Sequence, residues 1–163
     1  MPLPILSLEQ ILRLPPMIVG IIRWKRSVGE PPGDPCAGFD IRVEEHTATE
    51  YVDAGGGHIV PEPGTGIFKL VSDSVSCQAR ADQGDDHVIS FQVSGLHFNM
   101  PFDGYYRITP NLKGNWRPSG IFAPVGYRAI EPISANVGLK KDAPVQSLEF
   151  EVVRRSWFSG RRL

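Results

Sequence analysis

From residue 39 to residue 44 the chain reads Phe-Asp-Ile-Arg-Val-Glu. On an extended backbone Phe39, Ile41 and Val43 fall on one face, and Asp40, Arg42 and Glu44 on the other. A period of two marks a half-buried β-strand, and other segments repeat it in short lengths. After residue 15 no stretch carries the spacing of a long amphipathic helix. The 17 glycines and 15 prolines are spread along the chain, so turns cut each apolar run after a few residues. Such a chain hides its apolar side chains by laying one sheet on another. The expected fold is all-β, an antiparallel β-sandwich of about seven to eight strands.

The strands are expected at "MIVGIIRWK", at "FDIRVEEHT", and at "IFKLVSDSVSCQARA" and "HVISFQVSGLHFN", the last two joined as a hairpin at "DQGDD". "GYYRITPNL" adds a strand, and "GYRAIEPISANVGL" another, interrupted by Pro132. The last core strand is "VQSLEFEVVRRSWF", with Val145, Ser147 and Glu149 opposed to Gln146, Leu148, Phe150 and Val152. The glycine-rich run Asp53–Gly66 reads as an irregular loop, lacking the Lys-Ser/Thr pair and helix of a phosphate-binding loop. At the front, Ser7 and Gln10 have capping-box spacing and predict a short helix that Pro15 and Pro16 end. The reading divides the chain into an apolar arm (1–17), a sandwich (18–153) and a basic, aromatic tail (154–163).

A formal net charge of −1 gives no whole-chain electrostatic basis for binding nucleic acid. Glu9, Arg13 and the proline pair interrupt the apolar start, which suits neither an export signal nor a membrane helix. A cytoplasmic protein is expected, with export by another route or packaging into a particle left open. Cys36 and Cys77 permit one disulfide or two buried thiols, and both stay open.

Two passages carry a resemblance. The first contains Gly20-x-Ile22 and Pro35-x-x-Gly38-x-x-Ile41-x-Val43. The second contains Asp103-Gly104-x-Tyr106-x-Ile108, Leu112-x-Gly114-x-Trp116 and Gly126-Tyr127. Together they resemble the carboxypeptidase regulatory-like domain, a transthyretin-like sandwich. The resemblance implies Tyr106 and Trp116 as inward anchors, Gly38 at a tight turn, and positive φ at Gly104 and Gly114. It also implies an adhesive, carbohydrate-contacting or assembly role. The stretch between the passages is longer than that family's and must hold extra strands or an insertion.

An enzymatic relative of that sandwich, the intradiol dioxygenase, is similar around the second passage but continues R-P-x-H-x-H, donating two imidazoles to iron. Here the run is Arg117-Pro118-Ser119-Gly120-Ile121-Phe122, and neither Gly120 nor Phe122 can ligate a metal. Nor does "FSGRRL" supply the Y-R-G-S ending of hydroxyisourate hydrolase.

No other motif supplies chemistry. His46, His58, His87 and His97 lack metal-ligand spacing, and Glu44 and Glu45 point to opposite faces of a strand. Asp82, Asp85, Asp86 and His87 read as a charged hairpin tip; a metal-dependent enzyme improvised around His87 and Asp85 is the third-ranked reading. No catalytic, cofactor-binding or metal residue is assigned, and no cofactor is expected. In the tail, Arg154, Arg155, Arg161 and Arg162 interleave with Trp157 and Phe158. The expected arrangement docks the aromatics and leaves the arginines in water, so neither membrane nor nucleic-acid binding is inferred. The arm concentrates Leu3, Ile5, Leu6, Leu8, Ile11, Leu12 and Leu14, which must bury themselves on their own sheet or on a neighbour. The leading expectation is therefore a non-enzymatic structural or assembly subunit, a homo-oligomer or a protein-partner binder acting through the arm. The alternative is a carbohydrate- or peptide-binding module using Tyr105, Trp116 and Tyr127.

Overall fold

In a computed structural model the described residues are 15–31, 33–47, 51–53, 55, 59–61, 67–71, 75–96, 104–117, 126–140 and 142–163. Strand β1, Met17–Lys25, buries Ile18, Gly20, Ile22 and Trp24 and turns the residues between them outward. β2, Phe39–Thr47, buries Phe39, Ile41 and Val43, as its alternation predicts. β3 (Tyr51–Asp53) and β4 (Ile59–Pro61) form a small ribbon, whose second strand lies inside the run expected to be an irregular loop. β5 (Ile67–Leu70), β6 (Val75–Ala79) and β7 (Asp86–Val93) follow. Then come β8 (Gly104–Leu112), β9 (Tyr127–Glu131), β10 (Ala135–Leu139) and β11 (Val145–Arg155).

These strands build an all-β sandwich: a five-stranded sheet in the order β6-β7-β1-β11-β9 and a four-stranded sheet in the order β10-β8-β2-β5. Two segments expected to be single strands are each split between the sheets. "IFKLVSDSVSCQARA" supplies β5 to one and β6 to the other, and "GYRAIEPISANVGL" supplies β9 and β10, separated by a turn that begins at a cis Glu131–Pro132 bond. This raises the strand count above the expected seven or eight. The β6–β7 hairpin is as expected, with Gly84 at φ +64. The pairing is antiparallel except between β1 and β11, which run side by side in the same direction from Met17↔Val145 to Trp24↔Val152. The predicted N-terminal helix and the seven arm residues from Leu3 to Leu14 lie outside the described residues.

The core is one cluster drawn from both sheets. Ile18, Ile22, Ile89, Ile108, Leu139 and Val43 are fully buried in it, and Tyr106 is an inward anchor at 2% exposure. The motif glycines act through close approach. A Cβ on Gly20 would sit 2.1 Å from the ring of Phe91, and one on Gly38 would sit 2.8 Å from Trp116 Nε1. Gly38 closes the 3-10 turn Pro35–Gly38, which Asp34 caps by accepting a hydrogen bond from the Cys36 N–H at 3.0 Å. Neither Gly104 nor Gly114 has the positive φ that the resemblance implies. Cys36 and Cys77 are joined, which settles the question left open by the sequence, and the bond ties the approach to β2 to edge strand β6 of the opposite sheet.

Glu44 does not behave as an exposed alternate of β2. It faces outward beside Arg107 of β8, yet is only 5% exposed. Arg107 Nε and Nη2 donate to its two oxygens at 3.0 and 3.1 Å, and the same guanidinium covers the Phe68 ring at 3.7 Å. A forked pair of this kind satisfies the carboxylate without water.

Candidate binding surface around the C-terminal turn

The three rings expected to share a ligand do not form one site. Trp116 is a core residue: its indole donates to the Gly38 carbonyl at 2.9 Å and packs edge-on against Trp24 and Phe39. Tyr105 lies on the outer face of the four-stranded sheet, because Tyr106 beside it points into the core. Tyr127 lies on the outer face of the other sheet, opposite Arg155, three residues along from the buried, inward pair Ile130 and Val152. Outward faces of the two layers point apart, so Tyr105 and Tyr127 cannot grip one small ligand. The sequence could not reveal this, because the two strands' sheet assignment is not written in their alternation.

The structure draws Tyr127 into another arrangement. β11 continues past the end of β1 to Arg155 and turns at residues 156–160, and the tail folds back so that Arg162 bridges to Arg155. The turn is tied internally. Ser156 Oγ accepts from the N–H groups of Phe158 and Ser159 at 3.2 and 3.4 Å. The Ser156 carbonyl accepts from Gly160 N–H at 2.9 Å, and Arg155 Nη1 donates to the Gly160 carbonyl at 2.7 Å. Arg155 also pairs with Glu131, and Arg162 with Glu151. At the tip Trp157 is 67% exposed and Phe158 is 89% exposed. The Trp157 and Tyr127 rings lie 4.7 Å apart and tilted by 44°.

This reverses the expectation for the tail: the aromatics stand in water and two of the arginines are engaged. Strand pairing explains the reversal. Once β1 has left the sheet, β11 needs a new partner, and the returning tail supplies it through the Leu163 N–H to the Arg154 carbonyl at 2.8 Å. The backbone hydrogen bonds place the turn, and the rings go where the turn points.

Just inside this turn, Arg128 of β9 faces Arg154 of β11 on the inner side of the sheet. Arg128 is engaged: Nε donates to the Val28 carbonyl at 2.8 Å, Nη2 donates to the Arg117 carbonyl at 2.9 Å, and the guanidinium lies over Trp116. Gly29 makes room for it, at φ +129, where a Cβ would sit 2.5 Å from Arg128 Nη2. Burial lowers the pKa of Arg128, and the charge of Arg154 lowers it further.

The histidine reading of the β6–β7 hairpin changes partner. His87 Nδ1 lies 2.9 Å from Asp82, not against Asp85, and Arg26 reaches the same carboxylate at 3.5 Å. The hydrogen bond to His87 is the main reason that the Asp82 pKa falls below its ordinary value. Among the described residues no group of three or more His, Cys, Asp or Glu is placed to hold a metal ion. Arg117 is described, and its backbone bridges to Glu30; the Gly120 and Phe122 positions lie outside the described residues. Among the described residues no helix is long and apolar enough to cross a membrane.

No protein-family model, curated protein or solved structure matches the chain.

Proposed function

We propose that the chain is a non-catalytic β-sandwich module of the transthyretin-like kind that works by assembling with further copies of itself or with a protein partner. Trp157 and Phe158, held out on a braced turn, carry the reading. Rings and arginines of this sort dominate the energetics of protein contacts. Covering the two would contribute on the order of 3 kcal/mol each. The arm supplies the complementary half. Because β1 and β11 run parallel, the arm joins the sandwich at Met17, at the opposite end from the aromatic turn. Contacts made by two opposite ends are heterologous, so copies add head to tail rather than pairing about a twofold axis. The Cys36–Cys77 bond supports an oxidising compartment as the place of work.

Light scattering behind size exclusion tests this on the full chain, on a chain beginning at Met17, and on Trp157→Ser/Phe158→Ser. The expected result is a mass that rises with concentration in the full chain and falls to the monomer in both altered forms. A monomer at every concentration in all three would refute self-association. A second reading, carbohydrate binding, is favoured by the tilted Tyr127–Trp157 pair, whose ring faces suit a sugar. Trp24 and Trp116 are buried, so quenching by an added glycan would report Trp157 and would vanish in Tyr127→Ala.

A further inference from the structure

Arg154 is charged, inward-facing and unmet. Its Nε and Nη2 are closed off from solvent and have no hydrogen-bond partner among the described residues. Arg128, directly opposite in the register, spends its donors on carbonyl groups. The nearby carboxylates are engaged elsewhere, Glu131 by Arg155 and Glu151 by Arg162. Two guanidinium charges therefore lie side by side with no carboxylate for either among the described residues. Burial lowers the pKa of Arg154 as well. A covered donor without a partner is costly, more so when it is charged, so such an arrangement needs an acceptor.

A cavity offers the place for one. Arg154 lines a pocket of about 330 Å³ between the end of β1 and the returning tail, with Lys25, Ser27, Val28, Val152 and Leu163 among its walls. That volume is at the small end for organic ligands and exceeds the needs of a single water. The walls combine two cations with no carboxylate partner among the described residues, Lys25 and Arg154, with apolar surface from Val28, Val152 and Leu163. The Glu151–Arg162 pair, also in the wall, is already neutral. A guanidinium offers parallel N–H groups that match the two oxygens of a phosphate or carboxylate.

We propose that this pocket binds the oxyanion group of a small phosphate- or carboxylate-bearing molecule, with Arg154 turned into it as the forked donor and Lys25 as the second charge. The site is independent of the aromatic turn's role in assembly. Occupancy would meet the donors of Arg154, and it would couple the pocket to the tail through the backbone bond from Leu163 to Arg154.

The test is calorimetric titration of the full chain with inorganic phosphate and, separately, with citrate, each balanced with sodium chloride to constant ionic strength. One saturable site is expected for at least one of the two, and which one saturates names the group. Arg154→Met is expected to weaken it at least tenfold and Lys25→Met about threefold. Arg80→Met, on the distant β6–β7 turn, is expected to leave it unchanged. Heats no larger than those of sodium chloride for both anions would overturn the proposal, as would equal affinity in Arg154→Met and the parent. Lys25 is exposed, so Lys25→Met decides the matter if Arg154→Met does not fold; parental affinity in that variant would then overturn it.

Discussion

Replacing Cys36 and Cys77 together by alanine removes the one covalent link between the approach to β2 and edge strand β6. The cysteines are 41 residues apart in sequence. Freeing a loop of that length returns conformational entropy to the unfolded chain worth about 4 kcal/mol at 25 °C. For a chain of this size such a loss lowers the melting temperature by roughly 10 °C. The location adds a second expectation. Among the described residues β6 pairs only with β7, and none of its residues is fully buried. Without its tether β6 has little else to hold it, so it should open before the rest of the sheet. Urea unfolding of the parent and the double variant measures the first effect, and amide exchange along β6 compared with β1 measures the second. A loss below about 1 kcal/mol would show that the link constrains the unfolded chain far less than its loop length demands. Equal loss of protection in β6 and β1 would refute the reasoning about the edge.

Gly20→Val forces a side chain into the ring of Phe91 and should cost about 1–3 kcal/mol by overpacking, partly recovered by adding Phe91→Leu; urea midpoints check both. The Asp82 carboxylate is held below its ordinary pKa of 3.8, so the stability it contributes is present above that value and is lost as pH falls through the lower, folded one. Asp82→Asn should therefore flatten the acid limb of the stability curve below about pH 4 and leave a smaller pH dependence there; thermal melts from pH 2 to 5 read it.

The strands were legible wherever one face is buried and the other wet. β1 and β2 fall where alternation and flanking prolines place them, because a slip of one residue would turn every apolar side chain to water. Strand pairing was less legible. Nothing in "IFKLVSDSVSCQARA" announces that Leu70 and Val75 belong to different layers, since both sides of that break are equally extended. Trp116 carries two expectations, an inward anchor and a ligand contact beside Tyr105, and the indole's approach to Gly38 decides for the anchor. The disulfide was undecidable because two cysteines separated by strands can meet only if their sheets stack at that edge. The tail departs from its expected arrangement for a related reason: apolar rings favour burial, but the backbone of β11 has first claim on the returning chain.

That priority also explains why the exposed rings and the Arg154 donors gather at this end of the sandwich. Where β1 ends, β11 runs on, and the sheet is completed by a turn instead of a strand. A five-residue turn cannot fill the space a strand's side chains would have filled, so a cavity remains behind it, with Arg154 left facing inward. The turn must also project its middle residues, which here are Trp157 and Phe158. The exposed rings and the unpaired guanidinium thus have one structural cause, the unequal lengths of two parallel neighbours. Shortening β11 by deleting the turn would remove both features at once, whereas Trp157→Ser/Phe158→Ser should abolish assembly and leave the phosphate titration unchanged. A change in anion affinity in that variant would mean that the two features are coupled through more than their shared backbone.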